Sequence, residues 1–429
     1  MSTLTDVQAD PEARPARHGH LADPAPVSAA VVVGLVGWLV AAFGAVIAST
    51  PYRGDDVVNS QVHENLASVH WTLWHAIVFN TTDWMEHQGR FFPGSVSWTL
   101  SVFYVADTHA AYKLVLVATL ALALLTAALL VGRASRAWSG GVVTAVLLLG
   151  LVQIRVWADA YTAFSGLLTL TTAATLAAVV LVLRSGRWWA ALGAALLYSG
   201  ALLTYETVIL FVPPIVLLVI VLTRRWRRAL AFVVPAVLQA AWVLFLRSRM
   251  VGVAPAYQVA LVPGDVLRTT ARQMVAALPL SQWWLHADGV PPITVGALAV
   301  TTLLAGVPAA VCVYLVAGRG RRAPGGAVPR GGAWTVVVLG IWMWVSSSVL
   351  VGMTLRWQQS VELGQGYLPV VYGQVGLALA GGAVWRALDA RVPSTRARAW
   401  RLLSGALVGL LVALTLAGNL AAVSAESLT

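Results

Sequence analysis

Apolar residues come in long runs, near 27 to 49, 108 to 132, 139 to 156, 162 to 183, 188 to 204, 205 to 222, 229 to 247, 294 to 317, 334 to 353, 369 to 386 and 401 to 420. A helix of roughly 18 apolar residues, rising about 1.5 Å each, is long enough to cross a hydrocarbon core of about 30 Å. The pattern predicts an all-α, polytopic membrane protein of about 11 transmembrane helices. Residues 1–26, rich in Ala, Pro, Asp, Arg and His, read as a disordered cytoplasmic tail. Residues 27–420 read as a single transmembrane domain and 421–429 as a short outer tail.

The pattern changes character in the insert at 50–107. There Val58, Val62, Leu66, Val69, Leu73 and Ile77 are spaced by threes and fours with polar residues between them. This predicts an amphipathic surface helix of about twenty residues lying flat on the membrane, with Asp56 placed to cap its start. Pro93 suits the first turn of a second short helix over 94–105. Later connections at 155–161, 204–206, 248–293 and 354–368 are shorter or polar. The longest should hold a helix near 264–278 and an interfacial turn at Trp283-Trp284. There is no internal repeat.

Composition agrees with the pattern, since the chain is 59% hydrophobic and only 10% charged. Its net charge of +11 raises the question of nucleic acid. The basic residues, however, sit in short clusters between apolar runs, where they report orientation and contact with anionic membrane lipid. With the N-terminus cytoplasmic, nineteen of the twenty-eight Lys and Arg fall on inner segments and twelve of the seventeen acids on outer ones. An odd number of spans then puts the C-terminus outside. Cys312 is the only cysteine, so no disulfide framework can form within the chain.

Charge also picks out candidate chemistry. The insert opens with Thr50-Pro51-Tyr52-Arg53-Gly54-Asp55-Asp56 and holds six of the seventeen acids. Adjacent side chains diverge, so Asp55 and Asp56 divide the work: Asp55 is expected as a general base and Asp56 as the helix cap. Alternatively, both simply end a helix in water. Arg90, Arg155 and Arg356 are outer exceptions to the positive-inside bias and suit a phosphate, although Arg155 could instead pair with Asp159. Glu206, at a very short turn between two spans, is either functional or a solvated hairpin tip, and Asp159, in Trp157-Ala158-Asp159-Ala160-Tyr161, is a similar candidate. Trp357, Gln358 and Tyr367 lie in an amide- and aromatic-rich loop, a composition for holding a sugar and also for an interfacial belt. No His-x-x-x-His pair occurs, and no metal ligand set is expected. Any metal should be a hard divalent ion, Mg2+ or Mn2+, on Asp55 or Asp56.

The arrangement resembles the GT-C superfamily of membrane glycosyltransferases. Tyr52-Arg53-Gly54-Asp55-Asp56 in the first outer loop, Gly89-Arg90-Phe91-Phe92-Pro93 and Gly366-Tyr367-Leu368-Pro369 at a late span look similar to its bacterial branch. The resemblance implies a polyprenyl-phosphate-linked sugar as donor, a glycan, lipid or protein acceptor, and an acidic catalytic residue at Asp55 or Asp56. The rival expectation is a transporter or flippase of a lipid or glycan. That class places ionisable groups near mid-span and often shows repeat symmetry, whereas here the charges collect at outer helix ends.

Overall fold

The computed structural model describes residues 26–155, 159–249, 258–285, 292–318 and 330–426. Each of the eleven apolar runs forms helix, and the only strand-like pairing among the described residues is an isolated bridge between Val259 and Thr354. The helices are α1 Pro26–Ala48, α2 Asp55–Asn59, α3 Val62–Ser68, α4 Leu73–Gln88, α5 Pro93–Val105, α6 His109–Ala134, α7 Trp138–Leu149, α8 Leu167–Arg184, α9 Trp188–Thr204 and α10 Val212–Thr223. They continue with α11 Leu230–Ser248, α12 Pro263–Ala276, α13 Ser281–Trp284, α14 Val295–Thr301, α15 Val307–Val316, α16 Arg330–Gly352, α17 Leu355–Ser360, α18 Val370–Asp389 and α19 Ala397–Glu426.

Among the described residues, eight helical stretches are long and apolar enough to cross a membrane. The count falls below eleven because α7 and α9 are shorter and α18 carries Gln374 and Arg386 within its length. The run at 139–156 also ends early. Helix α7 stops at Leu149, and Gly150 to Arg155 continue as turn and coil. At the other terminus, α19 runs on to Glu426 through most of the stretch expected to be a tail. The tail expected at 1–26 lies outside the described residues except for Pro26.

Apolar burial between helices cannot drive association where lipid is as apolar as leucine, so close van der Waals packing must. Helices α16 and α18 meet through Gly340 and Gly376, where a Cβ on Gly340 would lie 2.2 Å from the Gly376 carbonyl oxygen. Tyr112, Tyr198 and Tyr372 are fully buried between helices. Leu114, Leu196, Leu238, Leu244 and Leu303 stand exposed on the rim, as lipid-facing side chains do.

The surface helix expected over about twenty residues is instead broken into α2, α3 and the start of α4. His70 takes a left-handed conformation, with φ 56°, and the Trp71 N–H returns to the Leu66 carbonyl at 2.9 Å, closing α3. Thr72 then caps α4 by accepting from the His75 N–H at 3.2 Å. Gly89 ends α4 in the left-handed region. Pro93 opens α5 as expected, and α12 and α13 fall on the predicted helix and turn of the 248–293 loop.

Candidate functional site

The insert leaves α1 through Thr50 and Pro51, which Lys113 holds in place. The Lys113 ammonium donates to Thr50 Oγ1 at 2.9 Å, the Pro51 carbonyl at 3.1 Å and the Thr162 carbonyl at 2.9 Å. This residue is 1% exposed and is the only lysine in the chain. Gly54, at φ 56°, turns the backbone into α2. Asp55 then faces solvent while Asp56 is buried, 1% exposed.

Asp56 is therefore not the helix cap that its position suggested: Gly54 occupies that place, and no side chain caps α2. Asp56 points into the protein. Its Oδ2 accepts from the Tyr112 hydroxyl and its Oδ1 from the Phe164 N–H at 3.1 Å, while the Tyr112 oxygen accepts from the Ser165 N–H at 3.2 Å. Burial raises its pKa to about 7, against the opposing pull of the Tyr112 hydrogen bond, the Lys113 ammonium and the Phe164 N–H.

These two acceptors complete an unusual turn. Phe164, Ser165 and Gly166 all have positive φ, at 57°, 51° and 66°. In non-glycine residues such as Phe164 and Ser165 this conformation costs about 1–3 kcal/mol each and persists only where the surroundings over-determine it. Here Asp56 and Tyr112 take the turn's N–H groups, and the Trp98 indole donates to the Ser165 carbonyl at 2.8 Å.

Beside the turn, Asp159 is 2% exposed and accepts from the Tyr161 N–H at 3.1 Å and the Thr162 hydroxyl at 2.7 Å. Its ionic partner is Arg53 at 3.8 Å. Burial pushes the Asp159 carboxyl above the usual carboxylate range, and Arg53 is the largest influence pulling it back. Arg53 also donates to the Arg155 carbonyl at 2.6 Å and to Thr162 Oγ1 at 3.2 Å.

Arg155 is committed elsewhere. Buried at 4% exposure, it donates to the carbonyls of Gly364 at 3.0 Å, of Gln365, and of Ala276 at 2.5 Å. That fork ties the coil after α7 to the end of α12 and to the 354–368 loop. With both terminal nitrogens engaged by carbonyls, Arg155 is not placed to hold a phosphate. Gly366, at φ 67°, is required there because a Cβ would lie 2.8 Å from Ala276 Cβ and 2.9 Å from Arg155 Nη1.

Arg90 and Glu206 form the next contact, Nε to Oε1 at 2.7 Å. The guanidinium lies 4.6 Å from the centre of the Phe92 ring and 5.8 Å from that of Trp84. Glu206 is thus not a free hairpin tip, and its Oε2 is buried without a hydrogen-bond partner. In the 354–368 loop, Gln358 donates to the Ala260 and Gly352 carbonyls, both at 2.8 Å, which makes it a fastener of the backbone. Trp357 is buried and stacks on Tyr367 at 3.7 Å, and the guanidinium of exposed Arg356 lies 4.9 Å from the Trp357 ring centre. Gln273 clamps the Tyr367 backbone through both N–H and carbonyl.

Four parts of the chain remote in sequence therefore converge at one end of the bundle: 50–107, the described residues 150–155 and 159–165, 205–206 and 354–368. Tyr112 and Lys113, which organise that end, were not singled out from the sequence. The signal for Lys113 was its being the sole lysine, set at the start of a span.

Both Asp56 oxygens accept hydrogen bonds inside the protein, whereas Asp55 faces solvent. No group of three or more His, Cys, Asp or Glu positioned for a metal occurs among the described residues. No protein-family model matches the chain, and no curated protein or solved structure matches it.

Proposed function

We propose that this chain is a GT-C-type integral-membrane glycosyltransferase that moves a sugar from a polyprenyl-phosphate donor to a glycan, lipid or protein acceptor. It works at the outer face of a cell membrane, with eleven spans, the N-terminus inside and the C-terminus outside. The observation that carries this reading is the convergence of the four segments. It sets an exposed carboxylate, Asp55, directly on the buried anchor of Asp56 at the end of α1.

In the proposed step the acceptor hydroxyl gives its proton to Asp55 as its oxygen bonds to the sugar's anomeric carbon. The bond from that carbon to the phosphate oxygen breaks, and its electron pair leaves on polyprenyl phosphate. A single displacement of this kind inverts the anomeric centre. Negative charge growing on the phosphate calls for fixed cations. Arg356 is exposed and suited to that role, and Arg90 is half-buried beside it in function, balanced at rest by Glu206. The donor's chain would lie in the bilayer and its phosphate at the interface, which matches a site at helix ends.

The test is incubation of the purified chain in nanodiscs with a panel of polyprenyl-phosphate sugars. Release of polyprenyl phosphate with at least one donor is expected. Failure with every donor, alongside saturable export of a lipid-linked glycan from sealed vesicles, would replace the reading with a transporter.

A further inference from the structure

At the end of the bundle opposite Asp55, two connections lie side by side. Helix α8 runs away from the 164–166 turn to Arg184, and the chain returns into α9 at Trp188. Helix α10 ends at Thr223, and a tight turn over Trp226–Ala229 leads into α11. These connections carry Arg184, Arg187, Arg224, Arg225, Arg227 and Arg228, and the only acid in the sequence between Asp159 and Asp265 is Glu206, at the other end.

The two turns bring one pair of these arginines together. Ser185 Oγ accepts from the Arg187 N–H at 3.3 Å and Thr223 Oγ1 from the Arg225 N–H at 3.2 Å, while Arg224 reverses the chain at φ 56°. The place a Cβ would take on Gly186 has Arg228 Nη2 at 2.8 Å and Arg225 Nη1 at 3.7 Å. Two guanidiniums from one connection thus border a single point beside the other, and exposed Gly186 brings no side chain to fill it. Arg228 also donates from Nη1 to the Val182 carbonyl at 3.3 Å, which steadies the group with Nη2 toward Gly186.

Like charges held this close repel, and an anion between them turns the repulsion into charge-assisted contacts. Among the described residues neither arginine pairs with a carboxylate. Asp389, the acid described at this end, is buried and accepts from the Gly318 N–H at 3.0 Å and the Trp400 indole at 3.1 Å. Beyond the arginines the surface turns apolar. Trp188, Leu192 and Leu196 form an exposed stripe along α9, and Leu230, Val234 and Leu238 one along α11, each at intervals of four residues. The two helices pack together, so both stripes run from the arginine pair toward mid-bundle.

We propose that Arg225 and Arg228 clamp the phosphate of an anionic phospholipid whose acyl chains lie along the stripes of α9 and α11. A phosphate presents several oxygens to the two guanidiniums, and the apolar track beneath them specifies a lipid over a free phosphate. The site lies at the far end of α8 from the proposed reaction and does not rest on it.

The full chain, delipidated in a neutral detergent, is titrated with phosphatidylglycerol, phosphatidylcholine and inorganic phosphate in separate arms, and bound species are counted by native mass spectrometry. Saturable retention of phosphatidylglycerol, tighter than that of phosphatidylcholine, is expected. The double variant Arg225→Gln/Arg228→Gln should weaken it about tenfold or more. Arg396→Gln/Arg398→Gln removes the same charge from exposed positions at the same end and should leave binding within about twofold of the parent. Arg225→Gln alone keeps the Arg228 bond to Val182 and should weaken binding about threefold, which carries the test should the double variant fail to fold. Equal weakening in the two double variants overturns the proposal, because general charge would then suffice. So does binding unchanged in Arg225→Gln and in Arg225→Gln/Arg228→Gln, or phosphatidylcholine held as tightly as phosphatidylglycerol. Inorganic phosphate held as tightly as phosphatidylglycerol overturns the lipid in favour of a free anion. No sugar transfer is read, so every one of these results leaves the proposed reaction untouched.

Discussion

Arg90 and Glu206 lie 116 positions apart and meet at 2.7 Å. The contact fastens the loop between α4 and α5 to the short turn between α9 and α10, so the insert is tied down far from its own ends. The side chains are 17% and 33% exposed, so solvent screens much of the attraction. A double-mutant cycle with Arg90→Gln and Glu206→Gln should give a coupling of about 1 kcal/mol in thermal or denaturant unfolding. A coupling near zero would show that the loop is held instead by the Gln239 hydrogen bond to the Phe91 carbonyl and the packing of Phe91 on Trp242.

Asp55 and Asp56 should behave in opposite ways. Asp55→Asn is expected to abolish sugar transfer while leaving the melting temperature unchanged, because the side chain is exposed. Asp56→Asn should cost about 1–3 kcal/mol, because an amide nitrogen cannot accept the Tyr112 hydroxyl. Full transfer activity in Asp55→Asn would remove the proposed base.

The raised pKa of Asp56 has a signed consequence for stability. Its ordinary value is 3.8 and its folded value about 7. Between these pH values the native chain holds a proton that the unfolded chain has released, so stability falls as pH rises. The contribution is complete below about pH 4 and is lost as pH climbs through about 7, for a change of at most about 4 kcal/mol. Unfolding in nanodiscs across pH 4 to 8 should show this decline in the parent and a flatter profile in Asp56→Asn.

Arg155→Lys should be far from conservative. A lysine cannot span the carbonyls of Gly364, Gln365 and Ala276 as a planar fork does. We expect a loss of about 2–4 kcal/mol from buried carbonyls left unpaired, read as a lower melting temperature. A neutral outcome would mean that the loops are held without it.

Gly366→Ala tests the same junction from the other side. Alanine would be strained at φ 67° and would press on Ala276 and the Arg155 guanidinium. A loss of about 1–3 kcal/mol is expected, with protease sensitivity rising in the 354–368 loop.

The sequence made the helices legible because lipid imposes one rule on every span: backbone groups must be satisfied internally, so apolar length alone marks a helix. It also made the chemistry of the ends legible, since charges such as Asp55, Arg90 and Glu206 stand out against an apolar chain. Partnerships were not legible. Nothing in the spacing of Asp56, Tyr112 and Phe164 says that they meet, because the pairing is set by how α1, α6 and α8 pack. The same limit hid the task of Arg155, which suited a phosphate but donates to three backbone carbonyls, while its neighbour in sequence, Asp159, turned to Arg53. The break at His70 was hidden because the spacing by threes and fours continues across it.

Lys113, enclosed by Thr50, Pro51 and Thr162, is the one side-chain amine this chain possesses. An acylating reagent can reach it only when the end of α1 parts from the coil before α8. The extent of modification at that single position therefore clocks how often the junction breathes, in intact membranes and without any engineered label.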